Sequence, residues 1–158
     1  MEENEKLIYI GSDHAGYKEK EEVQKYLQEK GLKTIDLGVF SEASIDYPDI
    51  AREVAEKVVD NSGSRGVLIC GTGVGMSMAA NKVFGIRAVQ ATTKEEAEMS
   101  RKHNDANIIC LGARTQKVED MKGLLDVFID TKFEGGRHED RVKKITAIEK
   151  EMCKKCEM

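Results

Sequence analysis

Cys70 stands directly before Gly71-Thr72-Gly73-Val74-Gly75, a thiol at the mouth of a glycine turn. The glycines let the backbone turn tightly and come close to a ligand at little steric cost. Val67-Leu68-Ile69 before them reads as a buried strand, and Met76 to Phe84 after them as a helix. Strand, turn and helix together aim backbone N–H groups at one spot, and the helix dipole makes that spot attractive to an anion. The same field favours a thiolate, although an ordinary thiol, with a pKa of ~8.5, is mostly protonated at neutral pH. Taken alone, the segment equally admits an inert buried thiol beside a turn that merely connects two elements.

Three known phosphate-binding loops do not fit here. The dinucleotide fingerprint needs a third small residue where Met76 stands, and the next strand ends in Gln90-Ala91-Thr92 without an acid for a ribose. A Walker loop needs a Gly-Lys pair that is absent. A phosphatase-type Cys-x-x-x-x-x-Arg loop would place arginine at position 76, again Met76. Other chemistry-bearing residues recur at the ends of apolar runs: Asp13-His14 after the first, Arg114 after the last. Arg137 and Arg141 are four apart, so one helix face presents both guanidinium forks, either to a phosphate or simply to solvent.

The elements that must position these residues alternate regularly. Strands are expected at Leu7–Ile10, Leu32–Leu37, Val67–Cys70, Ile86–Gln90 and Ile108–Leu111. Helices are expected up to Lys30 with Gly31 as C-cap, and from Pro48, with Ile50, Val54 and Val58 beside Ala51, Ala55 and Val59. Further helices cover Met76–Phe84, Thr93–His103, a stripe of Val118, Met121, Leu125 and Phe128, and Arg137 to about Glu151. Such alternation predicts a three-layer, Rossmann-like α/β fold: a five-stranded parallel sheet, wrapped on both faces, plus a C-terminal helix. The order 2-1-3-4-5 puts the switch point between strands one and three, so that Asp13-His14 and Cys70–Gly75 share one crevice.

Length and composition bound the function. With 158 residues, 40% of them hydrophobic, one domain over 1–158 is expected, its core spanning about 7–150 and a charged tail 151–158. A net charge of −4 and the lack of a Lys/Arg block argue against nucleic acid. The charged start Met1-Glu2-Glu3-Asn4-Glu5-Lys6 predicts neither a signal peptide nor a membrane span, and a cytoplasmic location is expected. Of the four cysteines, Cys70 and Cys110 fall in apolar runs, while Cys153 and Cys156 form a C-x-x-C without a second pair for zinc or a βαβ setting for redox work.

Seven motifs then appear in order: Ser12-Asp13-His14-Ala15-Gly16, Asp46-Tyr47-Pro48, Cys70 to Gly75, Ala79-Ala80-Asn81-Lys82, Gly85-Ile86-Arg87-Ala88, His103-Asn104-Asp105 and Glu134-Gly135-Gly136-Arg137-His138. With them the chain resembles ribose-5-phosphate isomerase type B, of the family that includes galactose-6-phosphate and allose-6-phosphate isomerases. The resemblance implies an aldose–ketose isomerase working through an enediolate with neither metal nor organic cofactor. It implies Cys70 as the base between C1 and C2, since a branch using glutamate after the glycine turn would need it where Met76 stands. It implies His103 as the ring-opening residue, Asn104 and Asp13 as hydroxyl ligands, and His14, Arg114, Arg137 and Arg141 as phosphate contacts.

Elementary chemistry agrees with that assignment. A carbon acid beside a carbonyl needs a nearby base and stabilisation of the oxygen that becomes negative, which N–H groups of Gly71, Gly73, Val74 and Gly75 can supply. Histidine suits ring opening because its unperturbed pKa of ~6.5 allows both proton states near neutrality. At a helix C-terminus, His103 also has the plainer role of meeting the dipole. Thr72 either donates a proton to the enediolate or caps the following helix. The resemblance further implies a homodimer, possibly a tetramer, with sites at the interface. Val142, Ile145 and Ile148 give the last helix an apolar edge for a partner, or for the chain's own core. Ribose 5-phosphate is the expected substrate; a six-carbon sugar phosphate and a non-catalytic phosphosugar-binding module are the alternatives.

Overall fold

The computed structural model describes residues 6–158, so the expectation drawn from Met1–Glu5 lies outside the described residues. Burial decides where each strand lies. β1 (Leu7–Ser12), β3 (Arg65–Cys70) and β5 (Ile108–Gly112) are buried along almost their whole length, as suits strands covered on both faces. β2 (Lys33–Asp36) and β4 (Ala88–Gln90) are shorter and partly exposed, as suits edges. All pairings are parallel, in the order β2-β1-β3-β5-β4.

The expected order 2-1-3-4-5 is therefore corrected at one edge. The run Ile108-Ile109-Cys110-Leu111 is fully buried and needs neighbours on both sides, whereas Ala88-Val89-Gln90 does not. The switch point between β1 and β3 is untouched by the exchange.

One face of the sheet is covered by α1 (Tyr17–Glu29), α4 (Lys94–Asn104) and α5 (Val118–Asp130), packed through residues such as Val23, Leu27, Ala97, Met121 and Phe128. The other carries α2 (Tyr47–Asp60) and α3 (Val74–Ala80), packed through Ile50, Val54, Val58, Met76 and Ala80. Val59, expected in the α2 stripe, is instead exposed. α6 (Arg137–Cys156) lies against α4.

Helix ends differ from the sequence reading for identifiable reasons. α3 stops at Ala80 rather than Phe84 because the Asn81 amide takes both backbone groups of Ala88, at 2.9 and 2.8 Å, and pulls the chain toward β4. β4 starts at Ala88 rather than Ile86, since the Arg87 N–H donates to the Asn107 side chain at 2.8 Å. α6 runs past Glu151 to Cys156: no glycine or proline stops it, and Lys154 and Lys155 complement the dipole of its last turn. Cys153 and Cys156 thus stand exposed on a helix.

α4 has few apolar residues and depends on its cap. The Thr93 hydroxyl accepts the Glu96 N–H at 3.2 Å, while the Glu96 carboxylate accepts the N–H groups of Thr92 and Thr93 at 2.7 and 3.1 Å. This reciprocal box satisfies donors the helix leaves open. The Thr92 and Thr93 N–H groups hold the Glu96 carboxyl below its ordinary value. A depressed native pKa stabilises the fold above the unfolded value of ~4.3, and that contribution fades as pH falls through the native value. Thr93→Ala should cost about 1 kcal/mol in urea unfolding at neutral pH. Glu96→Ala should also destabilise there, and its difference from wild type should shrink in acid. Equal urea midpoints for Thr93→Ala and wild type would mean that the cap does not matter.

Candidate active site

At the carboxyl ends of β1 and β3 the chain builds the crevice around Cys70. The last residue of β3, Cys70 points to the α2/α3 face and is 5% exposed. Gly73 adopts φ 80°, a left-handed conformation that a side chain would strain, and its N–H donates to the Cys70 sulfur at 3.1 Å. The Val74 N–H goes to the Thr72 hydroxyl at 3.3 Å, although Gly73 and not Thr72 is the N-cap of α3, and the Thr72 O–H proton is left to donate elsewhere. Two of the N–H groups expected to face a substrate oxygen are therefore engaged locally. Gly75 lies inside α3 rather than in the turn, with Tyr47 packed so close that an added Cβ would sit 2.7 Å from its ring.

β1 contributes the opposite wall. The Asp13 N–H donates to the Ile69 carbonyl at 3.2 Å, tying the two strand ends together. One Asp13 carboxylate oxygen caps the short turn His14–Gly16, accepting from Ala15 and Gly16 at 2.9 and 3.2 Å. His14 Nδ1 accepts the Ile45 N–H at 3.3 Å, which puts a neutral ring's proton on Nε2. From β5, the Arg114 N–H donates to the Gly71 carbonyl at 2.9 Å, and its guanidinium lies over Gly71. Cys110, buried on the same face, is a different kind of thiol. Burial first, then the charge of Cys70, pushes it far up and out of proton chemistry.

His103 and Asn104 are elsewhere. They end α4, which returns to the amino end of β5, where the Asn107 carbonyl accepts the Gly66 N–H at 2.9 Å. Cys70 pairs with Gly112 at the other end of the same five-residue strand, roughly 16 Å away along the sheet. The His103 ring is stacked on His138, centroids 4.1 Å apart and planes 13° from parallel. His138 Nε2 lies 3.6 Å from a Glu134 carboxylate oxygen. Burial, then the charges of His103, Arg137 and Arg141, push His138 below the usual imidazole range, while Glu134 acts the other way. Arg137 and Arg141 thus belong to this second group and are exposed.

The thirteen sequence-derived positions accordingly fall into two sets. Asp13, His14, Cys70, Gly71, Thr72, Gly73, Val74, Gly75 and Arg114 stand at the carboxyl ends of β1, β3 and β5; His103, Asn104, Arg137 and Arg141 stand at the far end. Tyr47 and His138 lie in the motifs Asp46-Tyr47-Pro48 and Glu134-Gly135-Gly136-Arg137-His138 but are not among the positions expected from the sequence. The motifs His103-Asn104-Asp105 and Glu134-Gly135-Gly136-Arg137-His138 mark the members of the second group but not that they meet.

The model of the ribose/galactose isomerase family matches residues 8–145. The chain belongs to the ribose/galactose isomerase family. Among the curated members, ribose-5-phosphate isomerase B of Escherichia coli is 45% identical over 91% of this chain and 97% of its own length. Among solved structures, ribose-5-phosphate isomerase B of Clostridium thermocellum superposes with a TM-score of 0.91 at 47% identity, covering 92% of this chain and 99% of that one. The Mycoplasma genitalium ribose-5-phosphate isomerase B, solved with bound ribulose-5-phosphate, gives 0.88 at 41% identity, over 92% of this chain and 97% of that one.

Proposed function

We propose that the protein interconverts ribose 5-phosphate and ribulose 5-phosphate, with the whole chain acting as one isomerase domain. The observation that carries this reading is Cys70, its sulfur held by the Gly73 N–H at the switch point of the sheet. A family member related over most of the chain binds ribulose-5-phosphate, which supports the same substrate here. Cys70 takes the proton from C2 of the open-chain aldose, electrons move onto the C1 oxygen, and the enediolate takes a proton back at C1. A proton passes from the C2 oxygen to the C1 oxygen, with Thr72 assisting. His103 protonates the ring oxygen as the furanose opens, with Asn104 and Asp13 on hydroxyls. Purified protein offered ribose, allose and galactose phosphates should favour the pentose in kcat/KM. A higher value for a six-carbon sugar would reassign the substrate, and no proton exchange into any of them would reduce the protein to a binding module.

The reading includes a homodimer with shared sites. Support comes from the opposite ends of β5 at which Cys70 and His103 stand. It comes also from α6, where Ile145 and Ile148 are exposed beside Ile86, Ala88 and Val89 rather than packed in the chain's own core. Among the described residues no helix is long and apolar enough to cross a membrane. The four free thiols suit a reducing, cytoplasmic location.

Phosphate is held, on this reading, by His14 and Arg114 of one chain and Arg137 and Arg141 of the other. Charge-assisted bonds are worth about 1.5–3 kcal/mol each. Arg137→Ala or Arg141→Ala should therefore weaken binding of inorganic phosphate, measured calorimetrically, by roughly tenfold to a hundredfold. An unchanged Kd would remove that arginine from the phosphate site.

A further inference from the structure

Three metal-ligating side chains meet at the end of α4, away from Cys70. One ligand atom each from His103, Glu134 and His138 lies within 4.8 Å of the other two, the one such cluster among the described residues. Its geometry is held by the backbone. Glu134 and His138 flank the turn at Gly135 and Gly136, where φ is 66° and 55°. That turn is tied to α4 by the Glu134 N–H, which donates to the Lys102 carbonyl at 3.1 Å, next to His103. His138 is buried to 7% exposure, so its position is fixed by packing.

The donor set selects the class of ion. Two imidazoles and a carboxylate suit zinc, cobalt and their neighbours, whereas magnesium and calcium prefer oxygen throughout. Tetrahedral zinc with ligands at about 2.0–2.2 Å places those atoms about 3.3 Å from one another. His138 and Glu134, at 3.6 Å, are nearly there already. The His103 ring, stacked 13° from parallel on His138, must rotate off that stack so that its nitrogen lone pair converges on the same ion. Three protein ligands leave a fourth position for water or a phosphate oxygen, beside Arg137 and Arg141.

We propose that His103, Glu134 and His138 bind one divalent transition ion of the zinc class, and that the ion withdraws His103 from ring opening. The second half rests on the isomerase reading; the first does not. Metal occupancy is then a brake on turnover of the cyclic sugar.

The test uses the full chain carrying Cys153→Ser and Cys156→Ser, so that the exposed thiols take no metal. Titration with Co2+ should give visible bands of a four- or five-coordinate ion at one per chain, without the intense near-ultraviolet absorption of a thiolate ligand. His138→Gln and Glu134→Gln should each weaken binding at least tenfold. Turnover of cyclic ribose 5-phosphate should fall in step with occupancy and return on chelation. In either variant the inhibition, taken relative to its own metal-free rate, should shift by the same factor. Absence of the bands, bands indifferent to both substitutions, or a thiolate band placing the ion on Cys70 would overturn the site. Saturation with unchanged turnover would overturn the brake. A chain inactive in every metal state would instead count against the isomerase reading, and the spectrum would still decide the site.

Discussion

Cys70→Ala is expected to lower turnover of ribose 5-phosphate by roughly a thousandfold or more, the scale of a lost general base. Affinity for inorganic phosphate should stay within about twofold, because no phosphate contact involves the sulfur and the effect falls on the transition state. The fold should survive: Cys70 packs in the core under α2 and α3, but the substitution removes only one sulfur at the end of β3. Alkylation should inactivate the wild type, with substrate protecting Cys70. Cys110 is buried and its thiol is pushed up, so it offers no replacement base. A Cys70→Ala enzyme that turns over normally but binds substrate poorly would remove Cys70 from the chemistry.

The second large effect is a gain. On the roles proposed for them, Cys70→Ala chains and His103→Ala chains should each be nearly inactive on the cyclic sugar, the first for want of a base and the second for want of a ring opener. If each site draws these residues from different chains, a heterodimer contains one site with both defects and one with neither. Random exchange of equal amounts makes half the dimers mixed, so activity should recover to about a quarter of wild type. Rapid mixing with cyclic ribose 5-phosphate after verified subunit exchange reads the outcome. No recovery would place both residues in the same chain's site. That result would conflict with the opposite ends of the sheet they occupy.

Much of this was legible before any coordinates, and the reason is locality. Cys70 to Gly75 is contiguous, so its chemistry can be read directly from the chain. Asp13 joins it through a topology rule that depends only on alternating elements. The exchange of β4 and β5 was not legible from alternation alone, because the pattern gives strands but not neighbours. Comparing the fully apolar Ile108–Leu111 with the short Ala88–Gln90 would have put the second at the edge. The end of α3 was hidden for a different reason: Asn81 reaches seven residues forward to Ala88, a bond no helical periodicity encodes. His138 was beyond reach, since its meaning depends on a ring from α4, 35 positions earlier, lying flat against it.

The placement of Cys70 and His103 at opposite poles has a consequence for assembly. An object with two complementary ends can add copies head to tail without limit, each completing the last and leaving a fresh end exposed. A twofold axis is the smallest arrangement that uses up both ends of both copies and stops. On the shared-site reading, selection for catalysis is then also selection against filaments, because an open chain always leaves one unfinished site at each tip. Dilution below the dimer's dissociation constant would silence the protein without unfolding a single chain. Its specific activity would then be a gauge of its own local concentration.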